Sequence, residues 1–149
     1  MIHSLMIPRR KKRNQEGQSL VEISISFVFF FFFLLGLLDL GRVYFIMVAL
    51  EDSAGEAASF MSINPDCRSA TECPDPNNGE WRARNAAGDQ FNWTNATIVV
   101  SYPTTGKSTG NHVRVSIQYP FTPLTPIISA ISGGQLTLVG DATQIILVE

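Results

Sequence analysis

The chain is poor in the residues that enzymes and metal sites are built from. Its 149 residues include two cysteines and two histidines. His112 is the only histidine beyond the first few residues, and its place in an alternating run puts it on a strand's solvated face. No phosphate-binding glycine loop, HExxH pair or EF-hand loop occurs, and no nucleophile motif surrounds any serine. No constellation meets the role requirements of an active site, so a non-enzymatic protein without cofactor or metal is expected. Positive charge is equally scarce beyond the N-terminus. From Glu51 onward ten Asp or Glu stand against five Lys or Arg, a net of −5. A nucleic-acid-binding face needs clustered positive charge, so nucleic acid is not an expected partner.

Proline is missing from residues 19–62, and residues 20–38 hold a single charge, Glu22. A bilayer-spanning helix needs about 17–25 apolar residues, so this run suffices. Six of the ten Phe fall within residues 27–33. Five consecutive basic residues, Arg9, Arg10, Lys11, Lys12 and Arg13, precede the run. By the positive-inside rule they keep the N-terminus cytoplasmic and place everything beyond Asp39 outside the cytoplasmic membrane. A cleavable signal peptide fits poorly, because its apolar region is about 7–15 residues and ends at a small-x-small site. Here the first small cluster, Ser53, Ala54 and Gly55, lies far downstream.

A helix over residues 18–62 would be about 65 Å long, twice the bilayer core, so its second half must leave the membrane. There, Ala54, Ala57, Ala58 and Met61 recur at i, i+3, i+4, i+7 as one stripe of mostly small side chains. Asp52 and Glu56 face away from it. Gly36, Gly41 and Gly55 are positions where the rod could bend. The proline-rich stretch 64–80 is a loop, and residues 80–87 form a short second helix. Cys67 and Cys73 flank a five-residue segment within that loop. On the outer side of a membrane a disulfide between them persists and contributes about 2 kcal/mol. Free thiols remain the alternative.

The remainder reads as strands. Residues 96–102 are β-branched. Val113, Val115, Ile117 and Tyr119 alternate with His112, Arg114, Ser116 and Gln118, as in a sheet buried on one side. Residues 124–131 suggest a short apolar helix. Residues 135–140 and 143–149 read as two final strands around Gly140 and Asp141. The expected fold is α+β, a long N-terminal transmembrane helix whose outer half packs on a three- or four-stranded antiparallel sheet. The expected divisions are a basic cytoplasmic leader (1–17), the long helix (18–62, transmembrane to about 40) and an extracytoplasmic α+β domain (63–149).

Two charged features stand at the ends of the span. Glu22 lies about 13 Å from Arg13 along a helix, near the inner interface. An acid inside a membrane helix is costly and marks a functional position; the plain alternative is a side chain that snorkels to headgroups. Asp39 and Arg42, at i and i+3, form an ion pair at the outer interface.

The sequence around these residues resembles type IV pilin-like precursors. The basic leader, Gly17 and "QSLVE" are similar to a prepilin peptidase site, cut after the glycine, with a glutamate fifth in the mature chain. The closer resemblance is to the TadE-like family, minor pilins or pseudopilins of the tight-adherence, Flp-type pilus system. It rests on Gly17, Val21 and Glu22, the apolar run, Asp39-Leu40-Gly41-Arg42 and "SAGEAASF". The resemblance implies a pilin-like fold, processing between Gly17 and Gln18, and partners in the membrane, the peptidase, other pilins and the tight-adherence machinery. It implies that Glu22 neutralises the amino group created at Gln18. The chain departs from the family in having Ile23 where an aromatic often follows the glutamate. The competing reading is an unprocessed single-pass protein with a small extracytoplasmic binding domain.

Overall fold

The structure is a computed structural model that describes residues 16–88, 92–104 and 106–148. The basic run at residues 9–13 lies outside the described residues. One helix, α1 (Glu16–Ile63), runs unbroken for 48 residues, or about 72 Å. Gly36, Gly41 and Gly55 all lie inside it without interrupting it.

After the loop come α2 (Gly79–Ala87), β1 (Thr97–Ser101), β2 (His112–Phe121), α3 (Pro126–Ile131) and β3 (Leu136–Ile145). The strands form one antiparallel sheet in the order β1-β2-β3. The architecture is thus α+β, with a long apolar N-terminal helix and a small sheet.

The alternation in β2 sets the core. Val113, Val115, Ile117 and Phe121 are buried, while His112, Arg114 and Gln118 are exposed. Across the register, Ile117 faces Ile98 on one side and Gly140 on the other, and Val115 faces Val100 and Ala142. The outer half of α1 covers this face with Ala49, Leu50, Ala54, Ala57 and Ala58, all buried. Asp52 and Glu56 point to solvent. On another side α2 packs its own small residues, Ala83 and Ala87, into the same core. Small side chains on both helices let the backbones approach closely, as interdigitated packing requires.

The expectation of two final strands is corrected: β3 is one continuous strand through Gly140 and Asp141, and the described sheet has three strands. The reason is tertiary. A Cβ at Gly140 would lie 2.5 Å from the Leu50 carbonyl carbon and 2.7 Å from the Glu51 nitrogen. Glycine stands there because α1 crosses the strand, and no turn is made.

The cysteine loop fastens the far end of the domain. Cys67 and Cys73 are disulfide-bonded, with Cα atoms 5.1 Å apart. The loop then caps α2: the Asn78 carbonyl oxygen of the side chain accepts from the Trp81 N–H at 2.8 Å. The Asn78 amide donates to the Cys73 carbonyl at 3.1 Å and to Asp75, so this buried side chain is satisfied at both ends. The Tyr102 hydroxyl donates to the Pro65 carbonyl, and Lys107 pairs with Asp66 at 2.8 Å. These contacts join the β1–β2 connection to the C-terminal end of α1.

Candidate functional site: the exposed half of the long helix and its outer seam

In the first half of α1, the large side chains lie open. Phe27, Val28, Phe29, Phe30, Phe31, Phe32 and Phe33 are all exposed, Phe29 to 72%. Phe27 and Phe31, one turn apart, meet at 5.3 Å between centroids with their ring planes tilted by 53°. Apolar patches on soluble monomers rarely exceed a few hundred Å², so a rod like this demands lipid or other helices around it. The described residues contain one helix long and apolar enough to cross a membrane, and this is it. The helix is built as a membrane anchor.

Polar groups enter the rod only near its N-terminal end. Glu22 is exposed, and its Oε1 accepts from the Gln18 side-chain amide at 3.2 Å, one turn back. The Ser24 hydroxyl turns inward onto the Leu20 carbonyl at 2.7 Å, the usual way a serine hides its donor in an apolar helix. Ser19, Glu22, Ile23, Ser26, Phe27 and Phe30 line one shallow groove. Small polar residues on one face allow close helix contact and hydrogen bonds between helices in lipid. The sequence reading singled out Glu22 but missed the two serines beside it; their i, i+3, i+7 spacing was the available signal. Gly17 lies inside the first turn of α1, so the expected cleavage point belongs to the helix.

The other end of the span is marked by Asp39. It is 3% exposed, whereas its neighbours Leu38 and Leu40 are 60% and 69% exposed. Arg42 does pair with it, at 3.2 Å, and lays its guanidinium over the Phe121 ring at 5.0 Å. The carboxylate also accepts two backbone donors from the far side of the sequence, Leu124 N–H at 2.9 Å and Thr125 N–H at 2.8 Å. The ion pair is thus part of a seam that ties the helix to the connection between β2 and β3. Charge-assisted hydrogen bonds of this kind are about twice as strong as neutral ones. The signal lay in the prolines. Pro123 and Pro126 leave Leu124 and Thr125 as the only N–H groups between them, and α3 gets no side-chain cap from Thr125. Both donors therefore need an acceptor from elsewhere.

Residues 17–59 match the family model described as TadE-like protein. Over these residues the chain is similar to TadE-like proteins. The TadE-like segment takes in Gly17, Gln18, Glu22, the phenylalanine run, Asp39, Arg42 and most of the small-residue stripe. A match to this family suggests a protein associated with the Tad, Flp-type pilus system. The sheet, α2 and the disulfide loop lie outside the match. No curated protein and no solved structure matches the chain.

A TadE-like helix in this setting has two chemically distinct surfaces. Its first half offers large apolar side chains and one carboxylate to whatever surrounds it. Its second half is already occupied by the chain's own sheet. No group of three or more His, Cys, Asp or Glu that could hold a metal ion occurs among the described residues.

Proposed function

We propose that this chain is a minor pilin or pseudopilin of a tight-adherence apparatus, a structural and non-enzymatic subunit made as a membrane-inserted precursor and cut after Gly17 by a prepilin peptidase. In this reading it contributes to pilus biogenesis and adhesion. The observation that carries the proposal is the place of Glu22. It stands fifth from Gln18 on an exposed helix face within the TadE-like segment, and it already bonds the Gln18 side chain.

The chemistry of the cut explains the arrangement. Cleavage creates an α-amino group at Gln18, one helical turn from Glu22. Pairing the two avoids the cost of holding either charge alone in lipid or in a filament core. The cut also removes the five basic residues that hold the N-terminus at the inner face. The phenylalanine rod can then exchange lipid for neighbouring helices.

The competing proposal, an unprocessed single-pass protein, shares the topology and differs in N-terminal chemistry. Intact-mass analysis of the protein from its native cell separates them. The proposal expects a mature chain that begins at Gln18. A chain still carrying Met1 beside an active prepilin peptidase contradicts it.

A further inference from the structure

Apolar surface is not confined to the first half of α1. Leu124 is 63% exposed, Ile127 53% and Ile131 83%, all in the connection between β2 and β3. No Asp, Glu, Lys or Arg occurs between Arg114 and Asp141. This is the reverse of a solvated loop, and three observations place it.

First, the connection lies at the sheet end nearest the apolar run. Gly140 of β3 crosses α1 at Leu50, and β2 ends with Phe121 beneath the Arg42 guanidinium. The strand thus travels back along the helix towards Asp39. The β1–β2 connection lies at the opposite end, where Lys107 pairs with Asp66. Second, Asp39 holds the Leu124 and Thr125 N–H groups directly. The apolar run of residues 20–38 is about 28 Å long, the thickness of a hydrocarbon core, so Asp39 stands at the edge of that core. Leu124 is pinned at the same level. Third, the segment satisfies much of its own backbone. Ser129 N–H donates to the Thr125 carbonyl at 3.0 Å, Ser132 N–H to the Ile128 carbonyl at 2.9 Å and Gly134 N–H to the Ser129 carbonyl at 2.8 Å. A segment that dips below the hydrated headgroups gains from such internal pairing, because water runs short towards the hydrocarbon.

We propose that residues 124–131 form a second membrane contact, a foot that lies in the headgroup–acyl boundary beside the Asp39 end of the span with Leu124, Ile127 and Ile131 in lipid. The occupant of this apolar surface is the bilayer itself, in continuity with the lipid around the phenylalanine rod. Because the foot carries no charge, its contact is apolar and indifferent to anionic lipid. It fixes the tilt and rotation of the outer domain against the membrane, which a single helix cannot do alone. The foot rests on the membrane-anchor reading of α1 and is independent of cleavage at Gly17.

The test uses the full chain reconstituted in phosphatidylcholine vesicles, with one spin label per sample at Ile131→Cys, Phe30→Cys or Ser108→Cys. The two described native cysteines are tied in the disulfide and do not take label. The proposal expects the label at 131 to collide freely with oxygen and poorly with a water-soluble nickel chelate, as the label at 30 does. The label at 108 should show the opposite preference. Adding phosphatidylserine should change none of these. A label at 131 that meets the nickel chelate as readily as the one at 108, while the label at 30 stays shielded, overturns the foot and leaves the span. Nickel access at both 30 and 131 overturns the span as well. A label at 131 shielded from both probes means that protein covers the patch, which also overturns the proposal.

Discussion

The two halves of α1 have the same backbone and opposite side-chain economies. From residue 20 to 38 the large apolar side chains face outward. From Ala49 to Met61 the inward positions are mostly alanine, and they are fully or almost fully buried. The lesson is that apolar content alone does not separate a membrane helix from a core helix. Size and direction do. Large residues all round suit a surface met by lipid or by other helices, whereas a narrow stripe of small residues suits a sheet packed closely against one side. Asp39 stands between the two regimes.

Substitutions at matched residues break or sharpen this contrast. The largest effect is expected at Gly140, on the strand that crosses the outer half. Gly140→Val drives a branched side chain into the α1 backbone, and overpacking of this kind costs about 3 kcal/mol. Denaturant unfolding of the full chain in micelles, followed by near-UV circular dichroism, should show the outer domain lost or strongly weakened. Gly36→Ala, in the exposed half where a Cβ meets nothing within 4 Å, should leave the same transition unchanged.

The seam comes next. Asp39→Ala strands the Leu124 and Thr125 N–H groups and should cost about 2–3 kcal/mol in the same assay. Asp39→Asn keeps one oxygen and should fall between. If both variants unfold like the parent, the carboxylate does not hold the two ends of the domain together. Reducing the disulfide, or Cys67→Ser with Cys73→Ser, should cost about 2 kcal/mol and loosen the α2 cap, with hydrogen exchange rising first at Trp81.

The smallest effect is electrostatic. The Arg114 side chain, 2.8 Å from Asp141, and Ser116 hold the Asp141 carboxyl below its ordinary value of 3.8. A lowered folded value means that the ion pair adds stability above pH 3.8 and loses it as the pH falls through the lower folded value. The pair is well exposed, so the contribution is about 0.5 kcal/mol. Asp141→Asn should lower stability at pH 7 by about that 0.5 kcal/mol, flatten the profile in the acid window and leave stability below that window nearly unaltered.

Much of the fold was legible because its signals are local. The absence of proline marked out α1, the spacing of Ala54, Ala57, Ala58 and Met61 marked its buried face, and strict alternation marked β2. What could not be read depends on residues distant in sequence. Gly140 and Asp141 have turn composition, yet the glycine is there for Leu50, some ninety residues earlier. Asp39 and Arg42 read as a surface pair because nothing nearby announces the two backbone donors, 85 and 86 residues away. Glu22 was legible from its spacing to Gly17, and the structure adds its Gln18 bond and the serines beside it.

Glu22 also offers the most direct test of the central claim that the exposed half of α1 is an assembly surface. Glu22→Ala should be expressed in the native cell in place of the parent and followed by membrane fractionation and recovery of assembled pili. The account predicts normal or improved membrane insertion together with loss of assembly. Normal insertion and normal assembly in the Glu22→Ala strain would contradict it.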